Sequence, residues 1–517
     1  MEYKKDSNDL VKVDDKNVFN GIEEVEDKMK IAISKNHKKT FYNYKKWFLL
    51  LTFTIIIIVV ARLIVLQNWL SFGGKGTIPG HGDSSIFMSY AGPVFPLTLS
   101  TVNSEIIASR NIVYDFSLPN VDNVGIRGTN VKDNYTLNNS LNEDKTIKAI
   151  YPFAASFKDF EKEIPIITVN GMNVPYAFYA GSYSGGFTGV YGNDTLEGSM
   201  NILQLNSWKG YKTLLEDGSY KSSAFTPYPV LSQKVTVYTF TDFIAPSEYD
   251  AATQGISFTI DPNKTTIMQY GFNGSEYKED GFRRYSYFVP NQVRSMNDTK
   301  MLIVIGDDIR NYTLQGYKNG ACEKGNELDG VSVNITRKER VLSDVIDELV
   351  TDFFAQYDNG GSLIVPKNMF LGAVSELMYQ YGILSQSVRE RYQDGRLEDI
   401  FLETNTLNRV LYLEFEVAIP AGESVLITCD MDKKASYDFY CTDSKDQGVY
   451  GYDMVTQLGS NLHFDVLEAE IIPIDQIEIV RQNFGFNLPL GITKVTLDPM
   501  EEHYYMDLRT TSSKIQE

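Results

Sequence analysis

Residues 166–178 read IITVNGMNVPYAF. Two apolar, partly β-branched runs flank Asn170-Gly171, a dipeptide that tolerates the positive φ angles of a two-residue hairpin turn. The spacing predicts strands over Ile166–Val169 and Met172–Phe178, joined back to back. Similar signals extend in both directions. Upstream, Val131–Leu137 is the first clear strand, and the turn NNSLNED separates it from Lys145–Phe153. Downstream, Lys234–Phe243, Ile256–Ile260, Thr265–Phe272, Arg284–Val289 and Met301–Ile305 continue the pattern. Parallel βαβ units need helical crossovers, and none is visible here, so residues 90–335 read as an antiparallel β-sandwich. KTIKAIYPF at Lys145–Phe153 and KTTIMQYGF at Lys264–Phe272 share K-T-x4-Y-x-F, a pattern two tandem sandwiches would produce.

The period then changes. Val341, Leu342, Val345, Ile346, Leu349, Phe353 and Phe354 follow helical spacing. A second helix has Pro366 at its start and Gly382 just past its end. A third covers Ser387–Arg391 and continues through Arg396–Glu403. Residues 336–405 are therefore a helical insert whose apolar stripes pack on the β structure. Strands resume over 406–508: Asn408–Ala418, Ser424–Cys429, Tyr437–Cys441, Gly451–Thr456, Asn461–Glu470 and Ile477–Arg481, with Ile492–Leu497 and Tyr504–Leu508 as a closing pair. Residues 509–517 are a polar tail. The fold class is mainly β, with a helical insert and one N-terminal transmembrane helix.

That helix is the run Trp47 to Leu66, WFLLLTFTIIIIVVARLIVL, whose length matches the ~20 residues an α-helix needs to cross a bilayer. Lys35, Lys38, Lys39, Lys45 and Lys46 precede it with no acidic residue among them, which predicts an N-terminus on the cytoplasmic side. Arg62 lies near the outer end, where its stem can snorkel to the headgroups. The long n-region and the missing A-x-A-like site favour an uncleaved anchor over a signal peptide. Residues 1–46 form a cytoplasmic tail. Asn20 and Glu23 resemble a capping box in front of the stripe Ile22, Val25, Met29 and Ile33. Residues 67–89 form a Gly/Ser-rich stalk, and residues 67–517 are extracytoplasmic.

The formal charge of −19 divides into about +3 over residues 1–66 and about −22 beyond. So acidic an ectodomain excludes nucleic acid as a partner. The implied partners are membrane lipid, through Trp47 to Leu66, and an envelope glycan or protein. Three cysteines exclude a disulfide-rich scaffold. Cys429 and Cys441 flank a predicted hairpin centred near Ala435, an arrangement open to a cross-strand disulfide or to two buried thiols, with Cys322 left over.

Little catalytic chemistry can be read. Four histidines, His37, His81, His463 and His503, show no ligand spacing, so no metal and no cofactor is expected. PMEEHYY around His503 reads as a surface turn. No G-x-S-x-G occurs; AGSYSGG at Ala180–Gly186 lacks the first glycine. Asp307 and Asp308 end the apolar strand MLIVIGDD, where paired carboxylates can act as acid and base or form a solvated turn. The aromatic stretch PYAFYAGSYSGGFTGVYGND sets Tyr176, Tyr179, Tyr183, Phe187 and Tyr191 among glycines. Such rings stack on sugars, anchor proteins or pack on the sheet beneath them. Asn-x-Ser/Thr sequons occur at Asn134, Asn138, Asn193, Asn263, Asn273, Asn297, Asn311 and Asn334.

NYTLNNSLNEDKTIKAIYPF followed by PIITVNG resembles the opening of vault/inter-α-trypsin-type β-sandwich domains, without their Asp-x-Ser-x-Ser metal motif. IPAGESVLIT at Ile419–Thr428 resembles a turn of extracellular sandwiches in general. RYQDGRLEDIF and GVYGYDMVTQLGSNLHF are similar to stretches of membrane-anchored ectodomain proteins of low-GC Gram-positive bacteria. That likeness implies a location and a fold, and no activity. Three roles fit: a binding or scaffolding ectodomain at the cell envelope, an envelope enzyme cutting glycan or peptide, and a sensor signalling through the N-terminal tail.

Overall fold

The computed structural model describes residues 89–103, 105–117, 128–181, 230–290, 300–357, 363–385, 395–438, 448–474 and 477–510. The expected tail, membrane span and all but the last residue of the stalk lie outside them. Among the described residues no helix is long and apolar enough to cross a membrane.

The chain is mainly β, with five sheets among the described residues. The widest has seven strands, in the order β24 (Lys494–Leu497), β22 (Phe464–Ile472), β3 (Ile106–Asp115), β4 (Thr129–Asn139), β19 (Ser424–Lys433), β6 (Ile166–Val169) and β7 (Met172–Asn173). A second sheet runs β1 (Ser89–Tyr90), β20 (Tyr437–Asp438), β21 (Val449–Val455), β25 (His503–Thr510), β23 (Ile477–Gln482). A third runs β2 (Thr98–Leu99), β5 (Lys145–Ala155), β18 (Arg409–Ile419), β8 (Ala177–Ala180). The fourth is β11 (Thr265–Tyr270), β14 (Lys300–Gly306), β9 (Lys234–Ile244), β17 (Ser332–Val341), and the fifth is β12 (Gly274–Tyr277), β13 (Phe282–Pro290), β10 (Ala251–Thr259), β15 (Tyr312–Tyr317), β16 (Glu327–Leu328). Among the described residues three helices follow β17: α2 (Leu342–Tyr357), α3 (Lys367–Gln380) and α4 (Leu397–Thr406); a single turn, α1 (Phe160–Glu163), lies between β5 and β6.

The Asn170-Gly171 turn forms as its residues dictate. Asn170 has φ 50° and Gly171 φ 77°, the pair of positive angles a tight hairpin requires, and Val169 stands opposite Met172. The second strand is shorter than expected. Pro175 cannot donate to a ladder, and the chain leaves to form β8, which pairs with β18 in another sheet.

Long-range pairing departs from the local reading in four places. β3 and β22 run parallel, so the expectation of wholly antiparallel sheets fails at this pair. β3 itself was not expected, because Ser109-Arg110-Asn111 interrupts its apolar character. Ile492–Leu497 and Tyr504–Leu508 are not partners: β24 pairs with β22, while β25 pairs with β21 and β23. The hairpin about Ala435 does not form either: β19 pairs with β4 and β6, and β20 with β1 and β21.

Among the described residues two apolar cores follow from these pairings. The first three sheets and the helices share the larger one. The second lies between the fourth and fifth sheets, where Phe272 meets Phe240, Tyr285 and Tyr287 at centroid distances of 5.4, 5.8 and 5.4 Å. The fourth sheet belongs to both. Met301 and Ile303 of β14 enter the larger core, while Leu302 and Val304 enter the smaller. Burial on two faces explains why MLIVIG is continuously apolar rather than alternating. Helix α2 docks as most of its stripe predicts, except that Val341 ends strand β17 opposite Lys234, and the expected helical stretch Ser387–Arg391 lies outside the described residues. Leu342, Val345, Ile346, Leu349 and Phe353 are buried, and Phe353 packs against Phe401 at 5.6 Å. Gly395 donates no side chain here for a reason: a Cβ would meet the Ile267 carbonyl oxygen at 2.5 Å, and the Gly395 carbonyl accepts from the Gln269 amide.

Candidate functional site

Along β3 the inward positions are Ile106, Ala108, Arg110, Ile112 and Tyr114, and along β4 they are Val131, Asp133, Tyr135 and Leu137. Alternation alone therefore sends one arginine and one carboxylate into the core. Both are fully buried. Arg110 Nε donates to Asp133 Oδ1 and Nη2 to Oδ2, each at 2.8 Å. The Tyr135 and Tyr151 hydroxyls donate to Oδ2 at 2.5 and 3.1 Å. Arg110 also reaches the carbonyls of Val455 at 2.6 Å, Thr456 at 3.3 Å and Phe95 at 3.3 Å. Burial opposes the guanidinium charge, but Asp133 and the neighbouring tyrosines outweigh it and hold Arg110 above its ordinary value. Burial likewise raises the hydroxyls of Tyr114, Tyr135 and Tyr151 and the thiol of Cys429.

A second polar group lies on β21 and β25. Asp453 Oδ2 is 3.0 Å from His503 Nε2, and the Asp453 amide donates to Ser436 Oγ at 3.1 Å. Burial would raise the Asp453 carboxyl, but His503, Ser436 and Lys433 hold it below its usual value. Lys433 Nζ donates to the Gly92 carbonyl at 2.8 Å, and burial lowers its ammonium to about 8. Asp507 accepts from Tyr437 at 2.8 Å and from Arg481 at 2.7 Å. Asp133, Asp453 and Asp507 are thus buried, each facing a cationic or imidazole partner. Such carboxylates are committed to the fold, and none is placed to take a proton from a substrate.

The same alternation aims the other side chains outward. Asn111, Asn134, Thr428 and Thr168 stand in register across β3, β4, β19 and β6. Ser109, Thr136 and Leu426 form the next row. Thr428 Oγ1 donates to Asn134 Oδ1 at 2.8 Å, Ser424 hydrogen-bonds Asn138, and Asn130 Nδ2 donates to Asp430 Oδ1 at 2.8 Å. These residues are half-buried or exposed. The result is a mixed face on a wide sheet, where a row of short amides and hydroxyls lies among exposed Ile107, Ile166 and Leu426.

The residues singled out by sequence lie apart. Tyr176 is exposed and Tyr179 half-buried on β8; Tyr183, Phe187 and Tyr191 lie outside the described residues. Asp307 is exposed. Asp308 accepts from Tyr238 at 2.8 Å through Oδ1, and its Oδ2 pairs with Arg337 at 2.7 Å, an arrangement that fastens a turn. Burial and Asp308 push the Tyr238 hydroxyl up to about 12. Cys429 is a buried free thiol opposite Asp133 and Ile167; Cys441 lies outside the described residues. Cys322 is also a buried free thiol. His463 is exposed beside Asp465. His503 is not on a surface turn, because β25 begins there and points its ring inward to Asp453. Among the described residues no group of three or more His, Cys, Asp or Glu is placed to hold a metal. Sequence reading missed Arg110 and Asp133, although a charge at an inward position of an alternating strand is the signal that marks them. No protein-family model matches this chain, and no curated protein matches it.

Proposed function

We propose that this protein is a single-pass, N-in membrane protein whose β-sandwich ectodomain binds a hydroxyl-rich glycan at the cell envelope. The smaller core, enclosed between the fourth and fifth sheets, supports a sandwich description of that part of the chain. The length and charge flanks of Trp47–Leu66 support the anchor. The observation that carries the binding role is the in-register row Asn111, Asn134, Thr428 and Thr168 on the outer face of the widest sheet. Short amide and hydroxyl groups on a rigid sheet offer paired donors and acceptors at little entropic cost. The arginine pairing of Asp133, Asp507 and Asp308 weighs against the hydrolase reading.

The test is co-sedimentation of the full chain, in detergent, with insoluble cell-wall glycan. Wild type is retained, and Asn134→Ala/Thr428→Ala loses at least about tenfold in affinity with an unchanged circular dichroism spectrum. Absence of wild-type retention, or equal retention of both proteins, overturns the reading. Protease added to intact cells checks the topology separately, since it digests residues 90–517 only if they lie outside.

A further inference from the structure

Residues 91–99 cross the larger core without forming a continuous strand. They leave β1, make one parallel bridge at Val94 to Met454, and enter β2. Val94, Phe95, Leu97 and Leu99 are buried. An irregular segment in such a place must satisfy every backbone polar group without a ladder. Here distant side chains do much of this work. Lys433 donates to the Gly92 carbonyl at 2.8 Å and Arg110 to that of Phe95 at 3.3 Å. The Leu97 amide donates to the Tyr135 hydroxyl at 3.1 Å, and its carbonyl accepts from Ser460. Asn461 closes the end, accepting from the Leu99 amide at 2.8 Å and donating to its carbonyl at 2.7 Å. The backbone of β21 adds two bonds to Val94, at 2.9 and 3.0 Å.

We infer that residues 91–99 are a strap that docks as a unit into a polar socket of Arg110, Tyr135, Lys433, Ser460 and Asn461, and undocks as a unit ahead of the sheets it stitches. The strap touches all of the first three sheets: β20 through β1, the inward side chains of β3 and β4, and β5 through β2. Its regular pairing is confined to one short strand, β2, and the bridge at Val94. When it leaves, water can reclaim the charges of Arg110 and Lys433, so undocking recovers hydration that opening an apolar seam would not. For its meaning the strap rests on the anchored reading, under which a pull arriving from residues 47–66 enters the ectodomain here. The joint is then the element that tension on the tether opens first.

Hydrogen exchange on the full chain in detergent micelles reads the strap directly, whichever side of a membrane the chain occupies. In wild type, the amides of Val94, Leu97 and Leu99 exchange at one common rate, faster than those of Ile112 and Ile427 in the central strands. In Tyr135→Phe and in Asn461→Ala that common rate rises about tenfold, while Ile112 and Ile427 do not change. Asn461 is only half-buried, so its variant carries the test if Tyr135→Phe fails to fold. Strap amides that exchange together with the central strands overturn the inference. So does an Asn461→Ala effect confined to Leu99.

Discussion

Arg110 grips Asp133 through two parallel hydrogen bonds of 2.8 Å, although the two residues stand diagonally across their strands. Arg110 is opposite Tyr135, and Asp133 is opposite Ile112. The long guanidinium reaches across the pleat, and the Tyr135 hydroxyl closes on the same carboxylate. Fork geometry and full burial make this a pair in which neither member tolerates loss of the other.

Arg110→Met therefore costs about 3–5 kcal/mol, because it leaves Asp133 charged and dry. Arg110→Met/Asp133→Asn is less destabilised than the single variant, since the uncompensated charge is gone. Thermal unfolding followed by near-ultraviolet tyrosine dichroism measures both. A double variant at least as unstable as Arg110→Met would contradict this account.

Lys433 gives a pH signature. Burial lowers its ammonium to about 8 in the folded protein, while an unfolded lysine keeps its proton to about 10.4. Below 8 the folded state bears the whole desolvation penalty. Between about 8 and 10 the unfolded state binds the extra proton, so stability gains with rising pH. The buried tyrosines and thiols act in the opposite direction near the top of this range. The difference between wild type and Lys433→Met isolates the lysine: relative to the variant, wild type gains up to about 3 kcal/mol across the window. Urea midpoints at successive pH values give the comparison.

Glu398 behaves in the reverse sense. It accepts from the Gly271 amide, and burial raises its carboxyl above the ordinary value. Its favourable contribution is complete below the unfolded value and is lost as pH rises through the folded one. Glu398→Gln keeps an acceptor for Gly271 and removes the buried charge. The variant has the higher Tm at pH 7, and its advantage disappears below about pH 4.

Gly451 has no room for a side chain. A Cβ would lie 1.8 Å from Cε2 of Tyr437, whose hydroxyl is fixed on Asp507. Gly451→Ala costs about 1–3 kcal/mol or more by overpacking. Gly422, with φ 68° and nothing within 4 Å, is the control; its alanine variant loses only about 1 kcal/mol of backbone strain. Chemical denaturation of the two variants orders them.

Local chemistry was legible and long-range pairing was not. Asn170-Gly171 announces its own turn because the required φ angles belong to those two residues. MLIVIG announces a strand because burial on both faces leaves no polar position. Pro366 and Gly382 bracket α3 for reasons confined to one helix. The destinations of β8, β24 and β25, however, depend on surfaces made elsewhere in the chain. Arg110 was hidden for a related reason: its charge makes β3 look like loop until Asp133 is known to lie beside it. His503 reads as surface until the ring's partner, fifty positions earlier, is in view. The outer row of Asn134 and Thr428 carries no local mark, since only sheet register brings those residues together.

The parallel pairing of β3 with β22 has a consequence for biosynthesis. Arg110 is synthesised 345 residues before Val455, the carbonyl it binds most closely. During elongation, and during export if the chain is exported, β3 emerges with a charged inward side chain and one neighbour missing. Its sheet cannot be completed until β22 and β24, residues 464–497, have been made. A chain arrested near residue 440 is thus a persistent client for holdase chaperones and proteases, rather than a smaller folded domain.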